Sequence, residues 1–448
     1  MMFIGDQGWF YLSARDVILK GEIPLVGITS SHIWLHQGAL WTYMLALVLW
    51  LFNFNPVGGA YLSSLLGVIT VWLVYRVGKD VFSRKIGLIA AFLYATSPLV
   101  IVHSRMVYHT SPIPFFTIIL FYSVYKWIQG NVFYFPFIVF LIAVLYNFEL
   151  ATFTLVPIVA ILLLIGFATK KEWVRGLVNK KIVFLSFIGF IVPMVPMIIY
   201  DFNHGFPQTV KFILWVFYKI AVTLHLYPPL HPDAPSENLQ TMLPFASNLV
   251  KRLLFLESAH VAWLIFVISV SYLIFVVYRL IKSKSYINPL SILLLFFLVP
   301  TFGYVSAKTN SEGYVLIFFP VVALMVALLF NGIFSYRLLL IPGVIMLSVI
   351  GLANSYFLVS KNYLMKNGYG VPMIDRINVV NKIIKESGEE EYNIRGIGEG
   401  SQYESFTMGY EYLAWWLGKQ PSKKKTKLQF IIGETQKQVT FIKMVVKK

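Results

Sequence analysis

The sequence predicts an all-α polytopic membrane protein of about ten transmembrane helices. Juxtamembrane helices are expected in the first outer loop, and a small C-terminal α/β domain outside the membrane. Three observations lead there. The 448 residues are 58% hydrophobic and carry only 13% charge, where a soluble chain carries about 25%. Apolar runs recur almost without break, each near the ~20 residues that cross a bilayer. The lysines and arginines are gathered on one side of those runs.

The runs lie at 57–75, 87–103, 112–127, 133–148, 150–168, 183–200, 261–278, 288–305, 314–330 and 338–357. Counting through them puts Arg76, Lys79, Arg84 and Lys85 on the same side as Lys170, Lys171, Arg175, Lys180 and Lys181. Lys126, Arg279, Lys282, Lys284 and Arg337 join them, giving fourteen basic residues against two acidic ones, Asp80 and Glu172. Basic connections stay in the cytoplasm. The opposite connections, up to residue 357, hold eight basic and nine acidic residues, and all eight histidines fall there or at the membrane edge facing them. The predicted location is the plasma membrane, with chemistry and C-terminal domain on the extracytoplasmic side.

Three outer regions are long enough to fold. Residues 5–56 contain a polar stretch and then an aromatic segment, 40–54, that reads as a helix lying on the membrane surface. Residues 201–260 read as a long loop with Pro228, Pro229, Pro232 and Pro235 near its middle. Residues 358–448 have soluble composition and form a second unit beside the membrane domain, 1–357. Helices are expected at 374–385 and 403–417, and strands at 428–432 and 439–446.

Several chemistries are excluded or disfavoured. Cysteine is absent, which removes disulfides, thiolate nucleophiles and cysteine metal sites. The net charge of +17 is topology signal plus a basic tail, so nucleic acid is not an expected partner. No histidine or acid pair has a metal-ligand spacing. Gly396-x-Gly398-x-Gly400 lacks a strand-to-helix context and reads as a turn.

The first outer loop runs Gly5-Asp6-Gln7-Gly8 with Tyr11, then His36-Gln37-Gly38-Ala39-Leu40. Asn55-Pro56, Tyr75-Arg76-Val77-Gly78-Lys79, Phe82, Ser97-Pro98 and Ser104-Arg105 follow in order. This succession resembles the GT-C glycosyltransferases, specifically family 39 with its protein O-mannosyltransferase and lipid A aminoarabinose transferase relatives. The similarity is good over 5–125 and looser through Pro193, Pro196 and Tyr200-Asp201-Phe202 to Tyr314 and Pro320. Members of the family carry a first span ahead of the aspartate loop. A truncated start is therefore expected. Asp6-Gln7 stands where many relatives have paired acids, and 105–111 lacks a carboxylate that some relatives carry there.

The resemblance implies transfer of a sugar from a polyprenyl phosphate to an acceptor hydroxyl on a protein, lipid or glycan, by inverting displacement without metal or cofactor. Asp6 matches the loop-one aspartate and would be the base; taken alone, it is equally a loop carboxylate or a helix cap. Arg15, Arg105 and His36 are candidates for the donor phosphate, arginine by its bidentate fork. His109 would bind phosphate or sugar hydroxyls. Glu149, between two spans with almost no loop, is a candidate sugar or acceptor contact, because ionisable groups at membrane depth are costly; the alternative is a short turn open to water. Lys308, Glu312 and Tyr314 border a turn that could close the site.

A transporter would place polar residues midway along several spans, which these runs do not. A lipid-linked polymerase or ligase would centre on an arginine-rich outer loop, yet 201–260 holds Arg252 alone beside Lys211, Lys219 and Lys251.

Overall fold

The computed structural model describes residues 3, 5–30, 34–228, 239–283, 286–307, 310–360, 371–398, 400–435 and 438–445. His32, His231, Lys284, Lys308, Pro229, Pro232 and Pro235 lie outside the described residues.

Every predicted crossing coincides with helix. They are α3 (Val57–Val81), α4 (Arg84–Thr96) with α5 (Pro98–His103), α6 (Ile113–Ile128), α7 (Tyr134–Phe148) and α8 (Val156–Ala168). Beyond the short α9 (Glu172–Arg175) come α10 (Lys180–His204), α13 (Ala259–Lys282), α14 (Pro289–Ala307), α15 (Phe318–Ile333) and α16 (Arg337–Ser360). Six stretches are long and apolar enough to cross a membrane by themselves: α3, 150–168, α10, α13, α14 and α16. Helices α6, α7 and α15, at 15 to 16 residues, reach only about 24 Å. Ser97-Pro98 breaks the second predicted span, because proline cannot donate to the preceding turn.

Helix α15 is the axis of the bundle. Phe319 through Phe330 are all buried, with α3, α4, α6, α13, α14 and α16 around it. A helix apolar on every face is stable only when it is enclosed. The outer helices show the reverse: Phe184, Phe187, Leu338, Leu352 and Val359 are exposed, the belt that lipid tails would cover.

The first outer region holds helices as expected, its polar start forming α1 (Gly5–Lys20), while the expectation for 201–260 is corrected. The segment 201–260 is largely helical, with a π turn at Pro207–Lys211, then α11 (Phe212–Thr223) and α12 (Leu239–Leu254). Ser97 Oγ donates to Leu253 O at 2.7 Å, and Asn354 Nδ2 to Leu254 O at 2.9 Å. These bonds pin the end of α12 to the bundle. The surface segment is α2 (Leu40–Leu51), whose 12 residues span about 18 Å, too short to cross.

The C-terminal unit places α17 (Met373–Ser387) and α18 (Met408–Trp416) with a three-stranded sheet. Strands β1 (Tyr392–Ile397), β2 (Leu428–Glu434) and β3 (Val439–Val445) lie in that order, β1–β2 parallel and β2–β3 antiparallel. Both predicted helices and both predicted strands are present; β1 was not anticipated. Gly396 therefore lies in a strand, and the turn begins at Gly398, whose φ is +86°.

Candidate active site

Asp6 sits in the first turn of α1, where a carboxylate favours the helix dipole. Two hydroxyls hold it. Tyr108 Oη donates to Oδ2 at 3.1 Å, and Ser405 Oγ to Oδ1 at 2.8 Å. Tyr108 comes from the connection between α5 and α6, Ser405 from the helical turn Glu404–Thr407 that precedes α18. Burial pushes the Tyr108 phenol well above its ordinary value, and the Asp6 carboxylate adds to the rise. The phenol therefore stays protonated and keeps donating.

The α1–α18 contact is made backbone to backbone. A Cβ at Gly8 would run into the main chain of Gly409, and one at Gly5 into Ser405. Glycine is what lets this helix approach closely enough for its Asp6 to meet Ser405.

Glu149 ends α7 and caps the turn Leu150–Leu155, accepting from Ala151 N at 3.3 Å. It is only 5% exposed, which rules out the water-open turn. Gln37 Nε2 donates to both its oxygens, at 3.2 and 3.3 Å, and His109 Nε2 lies 3.3 Å from Oε2. Gln37 in turn accepts from Leu150 N at 3.1 Å. This geometry needs Gly38, whose N–H donates to Asn147 O at 2.8 Å and whose Cβ would strike the Asn147 side chain. The Tyr108 and His109 rings lie 4.3 Å apart, so Asp6, Tyr108, His109 and Glu149 form one connected group. Buried His109 Nδ1 and Thr110 Oγ1 have no hydrogen-bond partner among the described residues, the usual mark of a place where a ligand or water binds.

Glu312–Tyr314 forms the adjoining wall. A Cβ at Gly313 would lie 3.4 Å from Thr110 Cγ2 and 3.9 Å from Glu149 Oε2. Glu312 is paired with Arg252 and with His103, the latter at 3.2 Å.

The remaining sequence candidates fall elsewhere. Arg105 is exposed, three residues before Tyr108 in the same connection. His36 turns away to Gln208, whose Nε2 is 3.2 Å from His36 Nδ1. Burial, with His204 adding to it, lowers its imidazole below the ordinary 6.5; at neutral pH it offers a phosphate a hydrogen bond and not a charge. Arg15, nine residues along α1 or about 13 Å from Asp6, pairs with Asp16 at 2.6 Å and stacks on Trp415 at 5.0 Å. It is not brought to the group and instead holds α1 to the C-terminal unit. Sequence reasoning missed Tyr108, Gln37 and Ser405 as site members, and Arg252 and His103 as the partners of Glu312. Among the described residues, no three His, Asp or Glu side chains converge as a metal-ligand set.

Residues 36–200 match the family model for dolichyl-phosphate-mannose-protein mannosyltransferase. The structure resembles ArnT from Cupriavidus metallidurans in the apo state, with TM-score 0.60 and 9% identity over 95% of this chain and 87% of that one. The chain has the GT-C fold. The same GT-C enzyme bound to undecaprenyl phosphate gives TM-score 0.57 and 10% identity over 96% and 89%. The archaeal oligosaccharyltransferase AglB from Archaeoglobus fulgidus, in complex with an inhibitory peptide and a dolichol-phosphate, gives 0.59 and 12% over 96% and 66%. The chain thus spans just under two thirds of that GT-C protein. No curated protein sequence matches it.

Proposed function

We propose that this protein transfers a sugar from a polyprenyl-phosphate donor to an acceptor hydroxyl on the extracytoplasmic face of the plasma membrane. The observation that supports it most is Asp6, held between Tyr108 and Ser405 beside the buried Glu149–His109 pair. Asp6 takes the acceptor's proton as the acceptor oxygen bonds to the anomeric carbon. The carbon–oxygen bond to phosphate breaks, and polyprenyl phosphate leaves with the electron pair. Attack opposite the leaving group inverts the carbon. In this reading Glu149, His109 and Thr110 meet sugar hydroxyls and Arg105 meets the phosphate. The test is incubation of the protein with a panel of polyprenyl-phosphate sugars. Release of polyprenyl phosphate is expected from at least one, and release from none would sink the reading.

Two further results are expected. Arg105→Ala should weaken donor binding by roughly ten- to a hundredfold, the worth of one charge-assisted contact, and more than Arg105→Lys. Equal affinity would leave Arg105 as a membrane-edge anchor. A reporter active only in the cytoplasm, fused after Lys448, should stay silent; a strong signal would reverse the orientation.

A further inference from the structure

Two cavities lie side by side, the smaller where the C-terminal unit meets α1 and the larger within that unit. One, of about 250 Å³, is lined by Asp6, Ser405, Tyr410, Arg376 and Glu434. The other, of about 380 Å³, carries Arg395, Ser401, Gln402, Glu404 and Thr407. Tyr403 and Phe406 line both. The smaller lies below the usual range for a drug-sized ligand and the larger at its low end, sizes suited to one sugar ring each.

Charge selects the occupant further. In the first cavity Arg376 grips both oxygens of Glu434 at 2.8 Å, so those two charges cancel and Asp6 remains. A phosphate or carboxylate ligand would meet the Asp6 charge with no cation paired to it in that cavity, whereas a neutral polyol meets acceptors and donors it can pair with. Flat aromatic faces beside polar side chains suit a ring with one apolar face and a rim of hydroxyls. Two such cavities sharing an aromatic wall suit a chain of sugars better than a single one.

We propose that these cavities form the acceptor site and that the acceptor is a neutral glycan. Its terminal ring occupies the smaller cavity, with a hydroxyl facing Asp6, and the next ring occupies the larger. The assignment of that hydroxyl rests on the glycosyl-transfer reading above; sugar binding itself is measured without turnover.

The experiment is saturation-transfer NMR on the full chain in a detergent without a sugar headgroup. The probes are methyl α-mannoside, methyl β-glucoside, cellotriose, maltotriose and a serine- and threonine-containing hexapeptide. Saturation of at least one sugar is expected, with a trisaccharide bound more tightly than a monosaccharide. Tyr403 is 65% exposed, so Tyr403→Ala leaves the fold alone. It should weaken the trisaccharide by roughly tenfold while polyprenyl phosphate binds as before. No saturation of any sugar, sugar binding indifferent to Tyr403→Ala, or peptide bound at Tyr403 in place of sugar would each overturn the proposal. Release of polyprenyl phosphate by a protein that binds none of the sugars would leave glycosyl transfer standing and remove only the glycan acceptor.

Discussion

Asp6→Asn is expected to lower turnover by about 10²–10⁴, the usual worth of a positioned acid or base. The amide keeps the size of the carboxylate, and its oxygen still accepts from Tyr108 or Ser405, but it cannot take the acceptor's proton. Donor binding and folding should change little, because Gly5 and Gly8, not Asp6, make the close backbone contact with the C-terminal unit. The measurement is sugar transfer at saturating donor. Transfer at the wild-type rate would make Asp6 a structural residue and turn attention to Glu149.

The largest expected loss of stability follows from Arg376→Ala. Arg376 is 1% exposed and gives Nε and one terminal nitrogen to Glu434, with the other terminal nitrogen donating to Val371 O at 2.5 Å. Tyr410 also donates to Glu434. Removing the guanidinium leaves the largely covered Glu434 carboxylate without its counter-charge and Val371 O without its donor, at a cost of about 3 kcal/mol, the low end for a broken buried pair. Limited proteolysis of the C-terminal unit should then accelerate by roughly a hundredfold or more, since cleavage follows the open population. Combining Arg376→Met with Glu434→Leu should recover most of the resistance, because two apolar side chains strand no charge. Unchanged proteolysis of Arg376→Ala would mean that the pair holds nothing together.

Both predictions concern groups whose importance was unevenly legible in the sequence. The spanning helices announce themselves, since a run such as 183–200 is apolar whatever surrounds it, and lipid demands little else. Helix α1 does not. It holds Asp6, Arg15, Asp16 and Lys20 among glycines and aromatics, and its burial comes from α2 and α18. Strand β1 is short, contains Gly396 and Arg395, and pairs in parallel with β2 across α18, a partner no local pattern reveals. At the site, Asp6, His109 and Glu149 were legible as residue types in outer connections. What converts them into a group is long-range: Gln37 reaches Glu149 across 112 positions and Tyr108 reaches Asp6 across 102. Arg15 and His36 looked equally suitable because charge and location are visible in a sequence, while the direction of a side chain is not.

The bond from Ser405 to Asp6 joins residues 399 positions apart, and this has a consequence for biogenesis. Chains elongate at about 5–20 residues per second, so Asp6 waits roughly 20 to 80 seconds after its own synthesis before Ser405 exists. Throughout that interval the ten apolar runs are already emerging and inserting. The membrane bundle is thus assembled before its aspartate acquires both partners. A nascent chain that has not yet reached Ser405 carries the apolar runs with Asp6 held by Tyr108 alone.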